Sequence, residues 1–237
     1  MKISEIFYSL QGEGMYIGTP SIFIRSSGCN LRCGWCDSPY ASWWTEGESK
    51  ESCEIIEEIY EKFEWIKHVV VTGGEPLIHK DMSILIKMLS DDQRFVTIET
   101  NGTIFRDDIK PDLYSISPKT KNSVPSQELH PAQCDNWEKG RDLHIANNTL
   151  DNLPLFVDSG IPLQIKFVVR NDEDVQEVIS IVNRYDLPAD CIYLMPEGFT
   201  KSDQEKRSVE IAELCKKEGF ILCPRLQIFL WGTKRGV

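Results

Sequence analysis

Along this chain, short runs of β-branched and aromatic residues alternate with longer stretches whose apolar positions recur at helical spacing. The strand-like runs are SIFIRS (21–26), HVVVT (68–72), RFVTIE (94–99), DLYSIS (112–117), LQIKFVV (163–169) and CIYLM (191–195). Between them the pattern predicts helices over 52–64, where Ile55, Ile56, Ile59, Tyr60 and Phe63 share one face, and over 81–90, 172–185 and 203–218. Asp172 and Ser202 or Asp203 fit N-caps, and Gly219 fits a C-cap.

This rhythm is that of βα units around a parallel sheet. A closed eightfold βα barrel takes about 250 residues, so six units in 237 residues predict an α/β fold of the partial, open-barrel kind. The stretch from about 119 to 142 carries Asn122, Pro125, Pro131 and Asn136 with little periodicity and room for one short helix. No repeat or linker divides the chain, so the expectation is one domain, 1–237, with an irregular insertion at about 119–160.

Polar or glycine-rich segments follow several strands: the cysteine-bearing loop after 21–26, Gly73-Gly74-Glu75-Pro76, Thr100-Asn101-Gly102 and Pro118-Lys119. In parallel βα architectures these are the C-terminal strand ends, where ligand sites gather. Four loops are thus expected around one mouth.

Composition narrows the classes. With 41% hydrophobic and 27% charged residues the chain can build a full core, and no apolar run approaches the ~18–20 residues that span a bilayer. Glu5 falls where a secretory leader would place its apolar stretch, so the expected location is the cytoplasm, with no membrane partner. A net charge of -11 repels phosphate backbones, which argues against direct nucleic-acid binding.

Of eight cysteines, Cys29, Cys33 and Cys36 fall within one loop, while Cys53, Cys134, Cys191, Cys215 and Cys223 are scattered. Gly28 and Gly34 permit the tight backbone that aims three thiols inward. Structural zinc sites and simple ferredoxin-type clusters normally use four protein ligands. Three cysteines therefore point to a 4Fe-4S cluster with one iron free for a small molecule; the plainer readings are three cysteines that merely line a loop, or a zinc knuckle completed by a distant His such as His68 or His79.

The C-x3-C-x2-C spacing with an aromatic before its last cysteine resembles the radical S-adenosylmethionine (SAM) superfamily, and Gly73-Gly74-Glu75-Pro76 is similar to that family's GGEP segment. The resemblance implies that Cys29, Cys33 and Cys36 hold a 4Fe-4S cluster whose unique iron takes the amino and carboxylate groups of SAM. An electron from the cluster then cleaves SAM to a 5'-deoxyadenosyl radical. Glu75 would accept from the SAM ammonium, and Trp35, Cys36, Asp37, Gly74, Ser117, Pro118 and Lys119 would also contact SAM.

Further segments, Tyr8–Gly14, Thr19–Arg25, Cys36-Asp37-Ser38, Ser117–Lys119 and Leu230–Val237, resemble one branch of the superfamily over nearly the whole chain. That branch contracts 6-carboxy-5,6,7,8-tetrahydropterin to 7-carboxy-7-deazaguanine with loss of ammonia, on the route to queuosine, and regenerates SAM. The resemblance implies substrate contacts from Leu10, Gln11, Gly12, Glu13, Arg25, Thr72 and the carboxylate of Val237, and a magnesium ion on Ser38. It also implies a homodimer and an electron donor such as flavodoxin or ferredoxin. Arg25 offers a fork for a carboxylate and Gln11 a donor and acceptor for a pterin edge. The plainer readings are a solvated strand end for Arg25, a loop residue for Gln11, a helix or turn cap for Ser38 and a solvated basic tail for Lys234-Arg235. Gln227 stands where the branch commonly has His, which leaves hydrogen bonding but no titration there. The competing functions are a glycyl-radical-enzyme activase with the same cysteine spacing and a non-catalytic iron-sulfur or zinc protein.

Overall fold

A computed structural model describes residues 1–237. The strands are β1 (Lys2–Leu10), β2 (Pro20–Ser26), β3 (Glu48–Ser49), β4 (His68–Gly73), β5 (Phe95–Thr100), β6 (Leu113–Ile116), β7 (Leu163–Val169), β8 (Ile192–Pro196) and β9 (Ile221–Leu222). The helices are α1 (Pro39–Ser42), α2 (Ser52–Phe63), α3 (Met82–Asp91), α4 (Trp137–Asn147), α5 (Leu153–Asp158), α6 (Asp172–Tyr185), α7 (Lys201–Glu218) and α8 (Leu226–Trp231). They build one sheet in the order β3-β1-β2-β4-β5-β6-β7-β8-β9. Every neighbour from β2 to β9 pairs in parallel, β1 runs antiparallel to β2 and β3, and the sheet does not close. All six strands expected from the sequence are present, and the fold is the expected open βα barrel. No helix is long and apolar enough to cross a membrane.

Side-chain parity explains why this sheet encloses a pocket. Ile22 and Ile24, Val69 and Val71, Val96 and Ile98, Tyr114 and Ile116, Ile165, Phe167 and Val169, and Ile192 and Leu194 all face the main core shared with the helices. Their alternate neighbours, among them Arg25, Thr72, Glu99 and Lys166, face the opposite, concave side and line a cavity there. The sheet is thus apolar toward the helices and mixed within, where Arg25, Thr72, Glu99 and Lys166 stand among Phe7, Phe23, Val168 and Met195, so its interior is a ligand chamber.

Several boundaries correct the sequence reading. β1 and the two short edge strands β3 and β9 lie outside the predicted set. A bulge between Ile3 and Glu5 breaks the alternation of β1, putting Ile3 in the main core and Glu5 against Arg25 and Tyr40, two residues of the cavity wall, so no simple period runs through it. The caps are Asn171, which accepts from the Asp174 amide, and Thr200, which forms a capping box with Asp203; Asp172 and Ser202 lie inside their helices. Gly219 caps α7 as expected. On α2, Ile55 and Ile59 are buried, but Tyr60 is exposed and donates to Asp92. The insertion holds two helices, α4 and α5; α4 escapes its hydrophobic pattern because it buries only Gly140 and His144.

Candidate active site

The concave face and the loops after β2, β4, β5 and β6 enclose one cavity of about 350 Å³. Cys29, Cys33 and Cys36 all line it, and none is in a disulfide. Their loop is fixed from outside by main-chain groups. Gly28 N donates to Ala41 O at 2.8 Å, Glu75 N to Gly28 O at 2.8 Å and Gly34 N to Ser123 O at 2.8 Å. Trp43 Nε1 donates to Cys33 O at 3.0 Å, and Arg32 Nη1 to the carbonyls of Cys29 and Leu31 at 2.8 and 2.7 Å. His144 on α4 ties the insertion to this loop, accepting from Arg32 N at 3.3 Å and meeting Ser123 Oγ at 3.1 Å.

The donor set fits an iron-sulfur cluster. Burial pushes the Cys29 thiol up to about 12 and raises Cys33 and Cys36 as well, so three neutral thiols stand where strong positive charge is needed to ionise them. No three His, Cys, Asp or Glu side chains converge on a single-ion point. His68 is held between Ser21 and Thr97 at 2.8 Å from each, at the start of β4 and remote from the loop after its end, and so does not complete a zinc knuckle. Gly73 has φ of 139°, and a Cβ on Gly73 or Gly74 would collide with the Ser26 or Gly28 carbonyl. The two glycines therefore let the loop after β4 pack directly on the backbone leading into the cysteine loop, beside the cavity that both glycines line.

On the expected SAM side, Trp35, Asp37, Gly74, Ser117 and Lys119 line the cavity. Lys119 donates to Ser117 Oγ at 2.7 Å and sits 5.2 Å over the Trp35 ring. Two of the expected SAM contacts do not line the cavity. Glu75 is 0% exposed and absent from the cavity wall, accepting from Leu77 N (3.0 Å), Thr100 Oγ1 (2.8 Å) and Asn101 N (2.7 Å). It organises the loops after β4 and β5, and burial raises its pKa despite these bonds. Pro118 is absent from the cavity wall, which its neighbours Ser117 and Lys119 form.

On the expected substrate side, Leu10, Gln11, Gly12, Glu13, Arg25, Thr72 and Val237 all line the same cavity, as does Ser38. Arg25 uses Nε on Glu5 Oε1 at 2.8 Å, which leaves both Nη groups without a partner in the chain. Ser38 stands at the N-cap position of α1 without capping it; its hydroxyl donates to Asp37 Oδ1 at 3.2 Å.

Sequence reasoning missed the cations beneath this side. Lys166, 1% exposed, donates to Glu13 Oε2 at 2.9 Å and Glu99 Oε2 at 2.7 Å. Arg225 joins Glu13 Oε1 at 3.3 Å to Asp37, and Gln227 Nε2 donates to Glu13 Oε1 at 2.8 Å. Burial alone would raise the Glu13 pKa, but Lys166 and Arg225 hold it well below the ordinary value. Burial likewise opposes the charge of Lys166, and Glu13 and Glu99 raise its pKa in spite of it. Glu99 also accepts from Gln11 at 3.3 Å and Ser115 at 2.9 Å. The available signal was a lysine at inner-face parity in LQIKFVV.

Comparison with known proteins agrees with this geometry. The Radical SAM superfamily model matches residues 23–120. The chain is 40% identical over 238 residues to the 7-carboxy-7-deazaguanine synthase of Halobacterium salinarum, covering 98% of this chain and 90% of that protein. It is 39% identical to the one of Rhodopirellula baltica (100% and 88% covered) and 30% identical to the one of Bacillus subtilis (100% and 98%). The fold matches the crystal structure of QueE from Escherichia coli with a TM-score of 0.65 at 24% identity, covering 95% of this chain and 93% of that one. Near-complete coverage at this identity means that the chain belongs to the 7-carboxy-7-deazaguanine synthase family of radical SAM enzymes.

Proposed function

We propose the following division of labour in this site, for a radical SAM enzyme that makes 7-carboxy-7-deazaguanine. Cys29, Cys33 and Cys36 hold a 4Fe-4S cluster, and Trp35, Asp37, Gly74, Ser117 and Lys119 contact SAM beside it. When bound, cluster and SAM supply an electron and a carbon radical able to take a hydrogen atom. The substrate is 6-carboxy-5,6,7,8-tetrahydropterin. It differs from the product by one ammonia, so the contraction needs no net oxidant, in keeping with SAM being regenerated.

What the chain contributes is placement. The free Nη edge of Arg25 suits the substrate carboxylate in a bidentate pair. Glu13, kept ionised by Lys166, and Glu99, paired with the same ammonium, suit the N–H groups of the aminopyrimidinone edge, and Gln11, bonded to Glu99, adds a further donor-acceptor pair. Gly12 and Leu10 supply wall, Thr72 a hydroxyl at the end of β4, and Val237 closes the far side. Ser38 beside Asp37 offers hard oxygens to a magnesium ion that retains most of its waters. The same reading brings a homodimer, a one-electron carrier of the flavodoxin or ferredoxin kind and a cytoplasmic setting, in a single-domain chain.

The observation that carries the reading is that one cavity gathers three unbridged cysteines and a guanidinium–carboxylate set suited to a carboxylated pterin. The test is anaerobic incubation of the cluster-loaded protein with reductant, SAM, magnesium and 6-carboxytetrahydropterin, read by mass spectrometry. Product in excess of SAM consumed supports it. SAM cleavage to 5'-deoxyadenosine without product refutes the substrate and favours the activase.

A further inference from the structure

The cavity mouth is crossed by residues 232–237, each of which lines it. Gly232, with φ of 65° and ψ of -131°, turns the chain out of α8 in a conformation only glycine adopts readily, and sends it over the opening. Arg235 anchors this stretch. Its Nε donates to Glu5 Oε2 at 3.1 Å, Nη1 to Glu46 Oε2 at 2.9 Å and Nη2 to Ser4 Oγ at 3.1 Å, while its Cζ lies 3.7 Å from the Tyr40 ring centroid. All three guanidinium nitrogens are engaged although the side chain is 40% exposed, so Arg235 is not freely solvated, whereas Lys234 is exposed without a side-chain partner.

Glu5 faces two ways. Its Oε2 takes Arg235, and its Oε1 takes Arg25 Nε at 2.8 Å and the Tyr40 hydroxyl at 3.0 Å. Tyr40 lies within reach of both guanidiniums, 6.0 Å from Arg25 and 3.7 Å from Arg235. The bulge that separates Ile3 from Glu5 gives Glu5 this aim, and such irregularities are a common way of re-aiming a side chain beside a site. A carboxylate so placed fixes the rotation of Arg25, leaving only its Nη edge for a ligand, and ties that rotation to the crossing segment.

We propose that residues 232–237 are a strap over the substrate pocket, that Arg235 latches it on Glu5, and that Glu5 is a positioning residue coupling the latch to Arg25. The coupling rests on the assignment of Arg25 to the substrate carboxylate; the latch itself does not. Closing the strap and orienting Arg25 then use the same carboxylate, so a carboxylated ligand meets a fork already set and a mouth already narrowed.

The test compares cluster-loaded wild type with Glu5→Gln, which keeps side-chain volume, and Arg235→Ala, at an exposed position. Without substrate, backbone amides of the strap should exchange hydrogen about tenfold faster in both variants, as expected for losing a small network of charge-assisted bonds and a stacked cation. Equal exchange overturns the latch. With substrate, KM for 6-carboxytetrahydropterin should rise about tenfold in Arg235→Ala while kcat holds within about twofold, the mark of lost ground-state binding. It should rise further in Glu5→Gln, and the double variant should be no worse than Glu5→Gln, because both changes break one link. Arg235→Lys keeps the charge but not the fork and should fall between. An unchanged KM, or additive effects in the double variant, overturns the coupling. Wild type that cleaves SAM but leaves the pterin intact defeats the assignment of substrate, and with it the coupling, while exchange still decides the latch.

Discussion

Lys166→Met asks what the buried charge beneath the substrate side contributes. Met approximates the lysine stem in length and stays apolar, so the change removes the ammonium and little else. That ammonium is 2.9 Å from Glu13 and 2.7 Å from Glu99 on a side chain 1% exposed. Removing one partner of a buried ion pair costs about 3–5 kcal/mol because the other charge is left behind. Here Glu13 keeps Arg225 and Gln227, and Glu99 keeps Ser115 and Gln11, so the low end applies, about 3 kcal/mol. Against a stability of ~5–15 kcal/mol for a domain, this is easily measured. Anaerobic urea denaturation of the cluster-loaded proteins, followed by circular dichroism near pH 7 and near pH 4, is the assay. The folded pKa of Glu13 lies below its ordinary 4.5, so its contribution is present above that pH and is lost as pH falls below it. Lys166, with its pKa raised above 10.5, contributes fully below that value and loses its share only at higher pH. The gap between wild type and variant should therefore be full at neutral pH and narrow in acid. Adding Glu13→Gln and Glu99→Gln to Lys166→Met should recover part of the loss, since no charge is then stranded. Equal stability near pH 7 within about 0.5 kcal/mol, or a gap that widens in acid, would refute the reasoning.

Single Ala substitutions at Cys29, Cys33 or Cys36 should abolish iron-sulfur absorbance and turnover, and those at Cys53, Cys134, Cys191, Cys215 or Cys223 should not, as iron analysis and product assay will show. Ser38→Ala should weaken stimulation by magnesium while the cluster spectrum stays intact; an unchanged magnesium titration would mean another ligand. Gly74→Ala puts a Cβ against the Gly28 and Ala41 carbonyls, so the loop must shift, and equilibrium dialysis should show SAM binding weakened about tenfold or more. Glu75→Gln leaves one of the donors from Leu77, Thr100 and Asn101 facing an amide, which should cost about 1–3 kcal/mol in denaturation.

The parts of this site that could be read from the sequence are those whose chemistry is local. Three cysteines in one loop, glycines after a strand and a βα rhythm each lie within a few residues, and the structure brings them to one cavity. Glu75 shows the opposite case: its segment is recognisable, but its burial rests on partners outside that segment, among them the Asn101 amide after β5, 26 positions away. β1 escaped because its period is broken by a bulge and its inner face mixes the apolar Phe7 with the polar Ser9. Lys166 shows the limit most clearly. Read alone, LQIKFVV is a strand with one charge, and a charge in a strand ordinarily faces solvent. What makes it a buried counter-ion is Glu13, 153 residues earlier, and Glu99, 67 residues earlier, delivered to the same concave face by strand order. One rule follows for open barrels of this kind. Once Ile165, Phe167 and Val169 are assigned to the helix side, Lys166 must point inward, and Glu99 and Ser115 share that inner face by the same parity. A buried inward lysine needs a carboxylate, so a charged residue at inner parity calls for an opposite charge on the same face before any motif is recognised.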